Sequence, residues 1–429
     1  REGHPNCSGS VVAVTQREFD LLLYGATGFA GQLTAQYLAR AGGAARIALA
    51  GRSEDKLRAV RATLGDTARE WPLVIADATR LPTLDAMAAR TRVVVSTVGP
   101  YTRYGMPLVA ACAAAGTDYA DLTGETMFIR NSIDLHHKRA VDTGARIVHS
   151  CGFDSVPSDL TVFALYRRGA ADGAGELCDT DLVVRNFAAG VSGGTLASMV
   201  EVLQTSAGEP HARELMNDPY TLSPDRGDEP DLGAQPDVRW RRGAEIAPEL
   251  AGYWTAAFVL AATNSRIVRR SNALLDYAYG RGFAYAEQIS VGRSPLAPLA
   301  AAVGTGSTAA TLGLGGRYLD RVPAGLLERV LPKPGTGPGE KTRERGHYRV
   351  ETYTTTTSGV RYVAAMAQRG DPGYQATAVL LGECGLALAL DSDKLSDLRG
   401  VLTPAAAMGD VLLERLPAAG VTLDTTLLG

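Results

Sequence analysis

The chain has 429 residues, which exceeds the roughly 250–300 residues that one hydrophobic core usually reaches, so we expect two domains. A hydrophobic fraction of 45% and a charged fraction of 21% are typical of globular proteins and argue against extended disorder. The net charge of −3 gives no reason to expect a nucleic-acid partner. Five cysteines without CxxC spacing indicate neither a disulfide framework nor a metal site.

The N-terminal segment, residues 1–17, reads as a polar tail without the apolar core of a secretory signal. We therefore expect a cytoplasmic, reducing setting.

From Phe19 the sequence alternates short apolar runs with helical patterns. Such runs are typical of parallel strands buried on both faces. The predicted strands are Phe19–Tyr24, Arg46–Ala50, Leu73–Ala76, Val93–Val98, Asp118–Leu122 and Arg146–Ser150. The sequence therefore predicts an α/β fold whose first domain, residues 18–155, is a Rossmann doubly wound parallel sheet.

A glycine-rich turn follows the first strand and opens a helix, which is the context that a dinucleotide-binding fingerprint requires. Gly25 suits the tight turn, Gly28 allows a pyrophosphate to approach the backbone, and Gly31 permits close packing of helix and strand. The N–H groups of the helix start would then face the anion. The predicted contacts of this turn are Gly25, Ala26, Thr27, Gly28, Phe29, Ala30 and Gly31.

The residues at the end of the second strand indicate whether a Rossmann domain binds NAD or NADP. An acidic residue commonly holds the ribose 2′-hydroxyl of NAD there, but this chain has Arg52 and Ser53. A guanidinium can pair with a 2′-phosphate, and Ser53 can add a hydrogen bond while capping the next helix. We therefore predict NADPH as the cofactor, with a solvated Arg52 as the alternative.

Further cofactor contacts are expected after the third and fourth strands. Tyr101 and Tyr104 come next and could donate a proton or form the wall of the nicotinamide pocket. Asp77 and Ala78 are predicted to meet the adenine, and Val98, Gly99 and Pro100 the nicotinamide ribose.

The segment after the sixth strand, residues 151–159, carries Asp154 and Ser155 where the first domain would pass into the second. Both could contact substrate or the cofactor amide, or Ser155 could simply cap the next helix. Residues 190–195 form a second glycine-rich helix start, which could receive an anion or be a plain loop. Alternation around Ser358 and Gly359 predicts a β-hairpin, so the second domain, residues 156–369, should be α+β.

Two later segments invite other interpretations. Ser294–Gly316 has no charged residue and is predicted to be a buried helix, a subunit interface or a membrane-surface contact. Residues 317–349, with eight Lys/Arg and four Asp/Glu, could face an anionic plasma membrane or an acidic carrier protein, or be a solvated loop. Residues 370–429 are predicted to be helices that pack back on the Rossmann domain.

Five stretches occur in the order of the landmarks of the saccharopine dehydrogenase-like family, which the chain therefore resembles. They are YGATGFAG, ALAGRS, STVGPY, YADLTGE and CGFDSVPSD. VGPYTRYG, KPGTGP and GVLTPAAAMGD are similar to one branch, the trans-acting enoyl reductases of phthiocerol dimycocerosate and phenolic glycolipid biosynthesis.

The resemblance implies an NADPH-dependent oxidoreductase that reduces an α,β-unsaturated acyl or polyketide thioester. It implies a polyketide synthase carrier domain as the partner that delivers the substrate. By the family pattern Gly25, Gly28, Gly31 and Arg52 would contact the cofactor. Tyr101, Tyr104 or Ser155 could serve the enolate that forms, as oxyanion partner or proton donor.

Two alternatives stay open at this point. A saccharopine-like amino-acid dehydrogenase would need cationic residues that converge on substrate carboxylates, for which Arg185, Arg266, Arg269 and Arg270 are available. A non-catalytic adaptor associated with lipid or membrane would keep the cofactor-binding fold without turnover.

Overall fold

A computed structural model of the chain describes residues 17–188, 210–239, 241–306, 337 and 339–428. Its first sheet has seven parallel strands in the order β12-β6-β5-β4-β1-β2-β3. The strands are β1 Phe19–Tyr24, β2 Ile47–Gly51, β3 Leu73–Ile75, β4 Thr91–Ser96, β5 Asp118–Asp121, β6 Arg146–Val148 and β12 Gly400–Leu402. The strand order reverses between β1 and β4, the switch point at which doubly wound sheets bind ligands.

Helices cover this sheet, and their buried sides complete the core on both faces of it. They are α1 Phe29–Ala41, α2 Glu54–Thr63, α3 Leu81–Arg90, α4 Tyr101–Tyr104, α5 Met106–Ala115, α6 Thr126–Thr143 and α7 Val156–Ala171. The Rossmann fold predicted from the sequence is confirmed.

The six predicted strands are all present, with differences at their carboxyl ends. β4 ends at Ser96, so Val98 lies in the loop that follows the strand and not in the strand itself. β6 ends at Val148, and Ser150 beyond it has a positive φ of 64°. These early endings lengthen the loops at the carboxyl edge, where ligands bind.

The seventh strand, β12, was not predicted. Gly400, Val401 and Leu402 pair in parallel with Arg146, Ile147 and Val148 of β6. Its three residues are too few to show a period, and they join an edge formed some 250 residues earlier in the chain.

The second sheet has six strands in the order β13-β11-β10-β7-β9-β8 and is mixed, since β7 and β9 are parallel and the other pairs antiparallel. The predicted hairpin is confirmed, with Tyr353 opposite Val363. The strands are β7 Leu177–Ala188, β8 Trp254–Ala257, β9 Ala284–Gly292, β10 His347–Thr356, β11 Arg361–Arg369 and β13 Thr422–Leu427. The associated helices are α8 Pro210–Asn217, α9 Gly243–Ile246, α10 Ala261–Leu274, α11 Ala297–Gly306 and α12 Glu340–Arg345.

The C-terminal segment holds two strands, β12 and β13, besides the helices α13 Thr377–Leu390 and α14 Pro404–Ala418. The first of these helices lies on the first sheet. A Cβ on Gly385 would meet Val95 Cγ2 at 2.5 Å, so only glycine allows this approach. The segment Pro372–Leu390 is long and apolar enough to cross a membrane, but 78% of it is buried, as in a core helix. The predicted domain boundaries themselves stay a prediction.

The uncharged stretch is described only as far as residue 306, and the basic flank only at 337 and from 339 onward. In helix α11, Ala297 and Ala301 are buried, whereas Leu299 and Val303, and Leu296 just before the helix, are exposed. The membrane contact stays a prediction. The second glycine-rich start at residues 190–195 lies outside the described residues.

Candidate functional site

The glycine turn joins β1 to α1 at the switch point of the first sheet. Gly25 has a φ of +88°, a conformation that side chains other than glycine rarely adopt. A Cβ on Gly31 would lie 2.1 Å from the carbonyl oxygen of Gly25, so the helix can approach the turn only because this side chain is absent. Gly25 and Gly31 therefore have the structural roles that the sequence predicts.

Gly28 shapes the surface of this turn. It is exposed, and a Cβ there would meet only the Gly25 carbonyl oxygen at 3.4 Å among the described atoms. It is also the N-cap of α1 and supplies no side-chain cap to the helix. The open space and the uncapped helix start fit an anionic group such as the pyrophosphate of a dinucleotide.

Phe29 of the same turn is held by distant segments that the sequence analysis did not connect with it. Its ring packs edge-on against Tyr374, with the centroids 4.7 Å apart, and the Arg343 guanidinium lies 5.2 Å from its centre. A Cβ on Gly337 would meet the same ring at 2.2 Å. The segments before β10 and after β11 therefore cover one flank of the turn.

At the end of β2, Arg52 is exposed and makes no hydrogen bond or ion pair with any residue that the structure describes. Ser53 caps α2 by accepting a hydrogen bond from Lys56 N at 3.4 Å. A guanidinium at this place, without a described partner, suits the 2′-phosphate of NADPH.

Asp77 and Ala78 follow β3 beside this arginine. Thr79 donates to the Asp77 carboxylate from its backbone N–H and its hydroxyl. These bonds, together with the nearby Arg52 charge, hold the pKa of Asp77 below its usual range. Burial and the Asp77 charge raise the pKa of Tyr24, at the end of β1, to about 12. The Tyr24 hydroxyl is therefore neutral near pH 7.

The loop after β4 carries Val98, Gly99 and Pro100, with a cis peptide bond between Gly99 and Pro100. Tyr101 follows at the start of α4 and is 3% exposed. Its hydroxyl donates to the Ser96 carbonyl oxygen at 3.0 Å and accepts from Leu122 N at 3.4 Å. Burial raises the pKa of Tyr101 well above its usual range, so this hydroxyl is a poor acid.

Tyr104, at the end of α4, is half-buried, and the Arg103 guanidinium lies 5.3 Å from the centre of its ring. The structure therefore leaves Tyr104 more accessible than Tyr101. Catalytic roles for both residues stay predictions.

Glu125 braces the loops after β4 and β5, a role that the sequence analysis missed. Its buried carboxylate accepts hydrogen bonds from Tyr101 N at 2.9 Å and from Thr102 N at 2.7 Å. A carboxylate bound by two N–H groups at the start of α4 fixes the path of the preceding Gly99–Pro100 loop.

Asp121 performs a similar task between β5 and β6. Its carboxylate accepts from Thr123 N, Ser150 N, the Tyr119 hydroxyl and His149 Nδ1, at 2.8–3.2 Å. His149 Nε2 lies 2.8 Å from Ser132 Oγ, which completes a Ser–His–Asp arrangement. All three side chains are at most 1% exposed, so no substrate can reach them, and the group is structural.

Ser155 is fully buried at the start of α7, and its hydroxyl donates to Asn264 Oδ1 at 2.9 Å. The Asn264 amide in turn donates to Glu287 at 2.9 Å. Ser155 thus ties the first sheet to the second, and its predicted catalytic role is untested. Its neighbour Asp154 is half-buried and has no such partner among the described residues.

The four arginines that an amino-acid dehydrogenase would need do not converge. Arg266 and Arg269 are buried and pair with Asp237. Arg270 is fully buried and donates to the carbonyl oxygens of Leu222 and Val401. Arg185 lies on the second sheet, 3.4 Å from Glu351. Within the described residues these groups hold the fold together and do not line a carboxylate pocket.

Among the residues that the structure describes, no group of three or more His, Cys, Asp or Glu side chains is placed to hold a metal ion. Cys151, which follows β6, is fully buried, and burial raises its pKa well above the usual range.

Comparison with known families matches residues 21–148 to the saccharopine dehydrogenase NADP binding domain. A trans-acting enoyl reductase of Mycobacterium tuberculosis H37Rv is 64% identical over 412 residues, covering 96% of this chain and 98% of that one. The trans-acting enoyl reductase of Mycobacterium ulcerans is 63% identical, with the same coverage. This chain belongs to the trans-acting enoyl reductase family.

A second Mycobacterium tuberculosis H37Rv protein, provisionally named a trans-acting enoyl reductase, is 69% identical over 97% of this chain and 99% of its own length. A solved apo saccharopine dehydrogenase from Saccharomyces cerevisiae is 14% identical and covers 95% of this chain and 99% of its own, with a TM-score of 0.49.

This trans-acting enoyl reductase family member is an NADPH-dependent oxidoreductase. The matched NADP-binding segment contains the glycine turn, Arg52 and the Glu125 brace. The contacts of individual residues with the cofactor, from Gly25 to Pro100, stay predictions. The open space at Gly28 and the uncapped start of α1 support them.

Proposed function

We propose that the protein reduces the α,β-double bond of an acyl or polyketide thioester with NADPH, while a carrier domain of a separate synthase holds the substrate. The observation that carries the proposal is the open space at Gly28, with Arg52 at the end of the neighbouring strand, in a chain 64% identical to a trans-acting enoyl reductase. The word trans-acting in that relative's name supports a substrate that arrives on another protein.

In this proposal the residues of the chain hold the cofactor and fix the loop beside it. The uncapped start of α1 and the Arg52 guanidinium hold the two ends of the phosphate-bearing part of the cofactor. Glu125 fixes the Gly99–Pro100 loop, which would border the nicotinamide. NADPH, when bound, supplies the hydride for the β-carbon.

The reduction also requires protection of the reacting atoms from water. The Thr126 and Thr263 hydroxyls lie 3.3 Å apart, and Thr263 donates to the Gly124 carbonyl oxygen at 3.2 Å. These contacts bring the start of α10, from the second domain, against the loop after β5. The reaction cleft would lie between the two sheets, where an acyl chain can be desolvated.

The test is the oxidation of NADPH, followed at the nicotinamide absorbance, with a trans-2-dodecenoyl thioester on coenzyme A and the same acyl group on a carrier domain. We expect turnover with NADPH, much slower turnover with NADH, and a higher kcat/KM for the carrier-bound substrate. NADPH oxidation by an α-keto acid with lysine or glutamate, and none by either thioester, would contradict the proposal and favour an amino-acid dehydrogenase.

A further inference from the structure

Asp154 lies in the turn between β6 and α7, at the carboxyl edge of the first sheet. A Cβ built on Gly124, in the loop after β5, would be 3.8 Å from Asp154 Oδ2. The Thr263 hydroxyl, from the start of α10, is bonded to the carbonyl oxygen of Gly124. Asp154 Oδ2 therefore lies beside Gly124, the residue before the Glu125 brace, in the loop that the second domain contacts through Thr263.

The carboxyl group of Asp154 has no hydrogen bond or ion pair with any residue of the described ranges. The side chain is half-buried, and neither oxygen is among the fully enclosed polar atoms without a partner, so both keep some solvent access. An accessible carboxyl group that the fold itself does not use is available for a ligand.

Two other candidate proton donors are hydrogen-bonded within the fold and buried. The Tyr101 hydroxyl is engaged with Ser96 and Leu122, and the Ser155 hydroxyl donates to Asn264. Both side chains are at most 3% exposed. Among the described candidates, Tyr104 and Asp154 remain, and only Asp154 belongs to the loops at the junction with the second domain.

The surroundings of Asp154 favour its acid form. Burial alone raises its pKa to about 6, with no charged neighbour contributing. Two carboxylates of the adjoining elements have hydrogen-bond partners of their own, since Glu125 accepts from the start of α4 and Glu287 accepts from Asn264 and Tyr285. A carboxyl group kept partly protonated near neutral pH can deliver a proton during turnover.

We infer that Asp154 is the proton donor of the enoyl reduction and protonates the α-carbon of the thioester. Hydride addition forms a C–H bond at the β-carbon and moves the π electron pair of the C=C bond into an enolate. The α-carbon then binds the proton as the O–H bond of Asp154 breaks, and the electrons of that bond stay on the carboxylate. A proton from water restores the acid, leaving the saturated thioester and oxidised cofactor.

This inference rests on the proposed enoyl reduction, and the variants Asp154→Asn, Tyr104→Phe and Asp85→Asn test it. Asp85 is exposed on α3 and serves as the matched control for loss of one carboxylate. The readouts are kcat/KM for trans-2-dodecenoyl-CoA and for the carrier-bound thioester between pH 5 and 9, and the NADPH Kd. A general acid contributes about 10²–10⁴-fold to rate, so Asp154→Asn should lower kcat/KM at least ~100-fold.

The NADPH Kd should change less than about twofold in Asp154→Asn, since in this inference Asp154 acts on the substrate and does not hold the cofactor. Wild-type kcat/KM should fall as pH rises above the pKa of the acid, and this limb should be absent from the residual activity of Asp154→Asn. Asp85→Asn should match the wild type, and Asp154→Glu should recover part of the rate.

Wild-type rate and an unchanged pH profile in Asp154→Asn would overturn the inference while enoyl reduction stands. A large loss in Tyr104→Phe together with normal turnover in Asp154→Asn would transfer the role to Tyr104 and also overturn it. A wild-type protein that binds NADPH but reduces neither thioester would overturn the proposed function, and this inference with it.

Discussion

Two regions at the carboxyl edge of the first sheet contrast in how they satisfy their polar groups. In the loops after β5 and β6, Asp121 and Glu125 are buried and accept hydrogen bonds from backbone N–H groups of neighbouring loops. At the glycine turn and the end of β2, the helix start has no side-chain cap, and Arg52 has no described partner. Saturated polar groups fix the loops, whereas open ones are left for ligands.

The same contrast separates the arginines of the chain. Arg266, Arg269 and Arg270 are buried and bound to Asp237 or to backbone carbonyl oxygens, whereas Arg52 is exposed. Residue type alone therefore does not identify a binding group. The partners that the fold supplies to each side chain decide which residues remain free to bind.

A side chain added at the glycine turn should have the largest effect of the variants considered, and the effect should be on NADPH affinity. In Gly31→Ala the new Cβ would lie 2.1 Å from the Gly25 carbonyl oxygen, and since backbone atoms cannot move aside easily the turn must deform. We expect NADPH affinity to fall at least ~100-fold, about 2.7 kcal/mol, by fluorescence titration. Gly282→Ala is the control because a Cβ there meets nothing within 4 Å. Wild-type affinity in Gly31→Ala would show that the turn does not bind the cofactor.

Removing a hydrogen bond of the buried Glu125 carboxylate should lower the free energy of unfolding. Glu125→Gln places an amide N–H group against one of the two N–H donors of α4, leaving a buried group unsatisfied. We expect a loss of about 2–3 kcal/mol in the free energy of unfolding, measured by urea titration. Glu70→Gln, at an exposed position, should change it by less than ~0.5 kcal/mol. Equal stabilities of the two variants would mean that Glu125 is not a brace.

Removing the open arginine should separate the two nicotinamide cofactors. Arg52→Ala loses a charged contact with the 2′-phosphate, worth about 1.5–3 kcal/mol, so NADPH should bind roughly 10–100-fold more weakly. NADH affinity should change little, because that cofactor lacks the phosphate. Arg40→Ala, at the exposed end of α1, tests for a general effect of charge. An equal loss for NADH and NADPH would remove Arg52 as the 2′-phosphate reader.

A smaller effect is expected in the second sheet, on the pH dependence of the free energy of unfolding. Burial raises the folded-state pKa of Glu287 from 4.5 to about 7, so between these values the folded protein keeps a proton that the unfolded chain has released. Stability from this group is therefore complete below about pH 4.5 and falls as pH rises toward 7, with a slope of at most ~1.4 kcal/mol per pH unit.

Glu287→Gln should flatten this decline, measured by urea unfolding at pH 5 and pH 7.5. Part of the slope should persist, because burial also raises the pKa of Asp159 to about 7. Glu344→Gln, an exposed substitution, is the control and should leave the slope unchanged. The same slope in Glu287→Gln and in the wild type would show that Glu287 does not titrate in this range.

Local sequence was sufficient for much of the fold and for one half of the site. The apolar runs of the parallel strands, the Ser53 cap and the hairpin around Gly359 all depend on residues close together in the chain. The glycine turn is predictable for the same reason, since Gly25, Gly28 and Gly31 act through their own backbone conformation and the lack of a Cβ.

The tertiary structure alone decided the other half of the site. Glu125 and Asp121 bind groups from loops that follow different strands, and Asp154 is distinguished by the partners it lacks. Strand β12 exists because the edge of β6 was available to it. Periodicity and turn chemistry report local preferences, whereas burial and hydrogen bonding between distant segments arise only when the chain is packed, and they determine which polar side chains stay free to react.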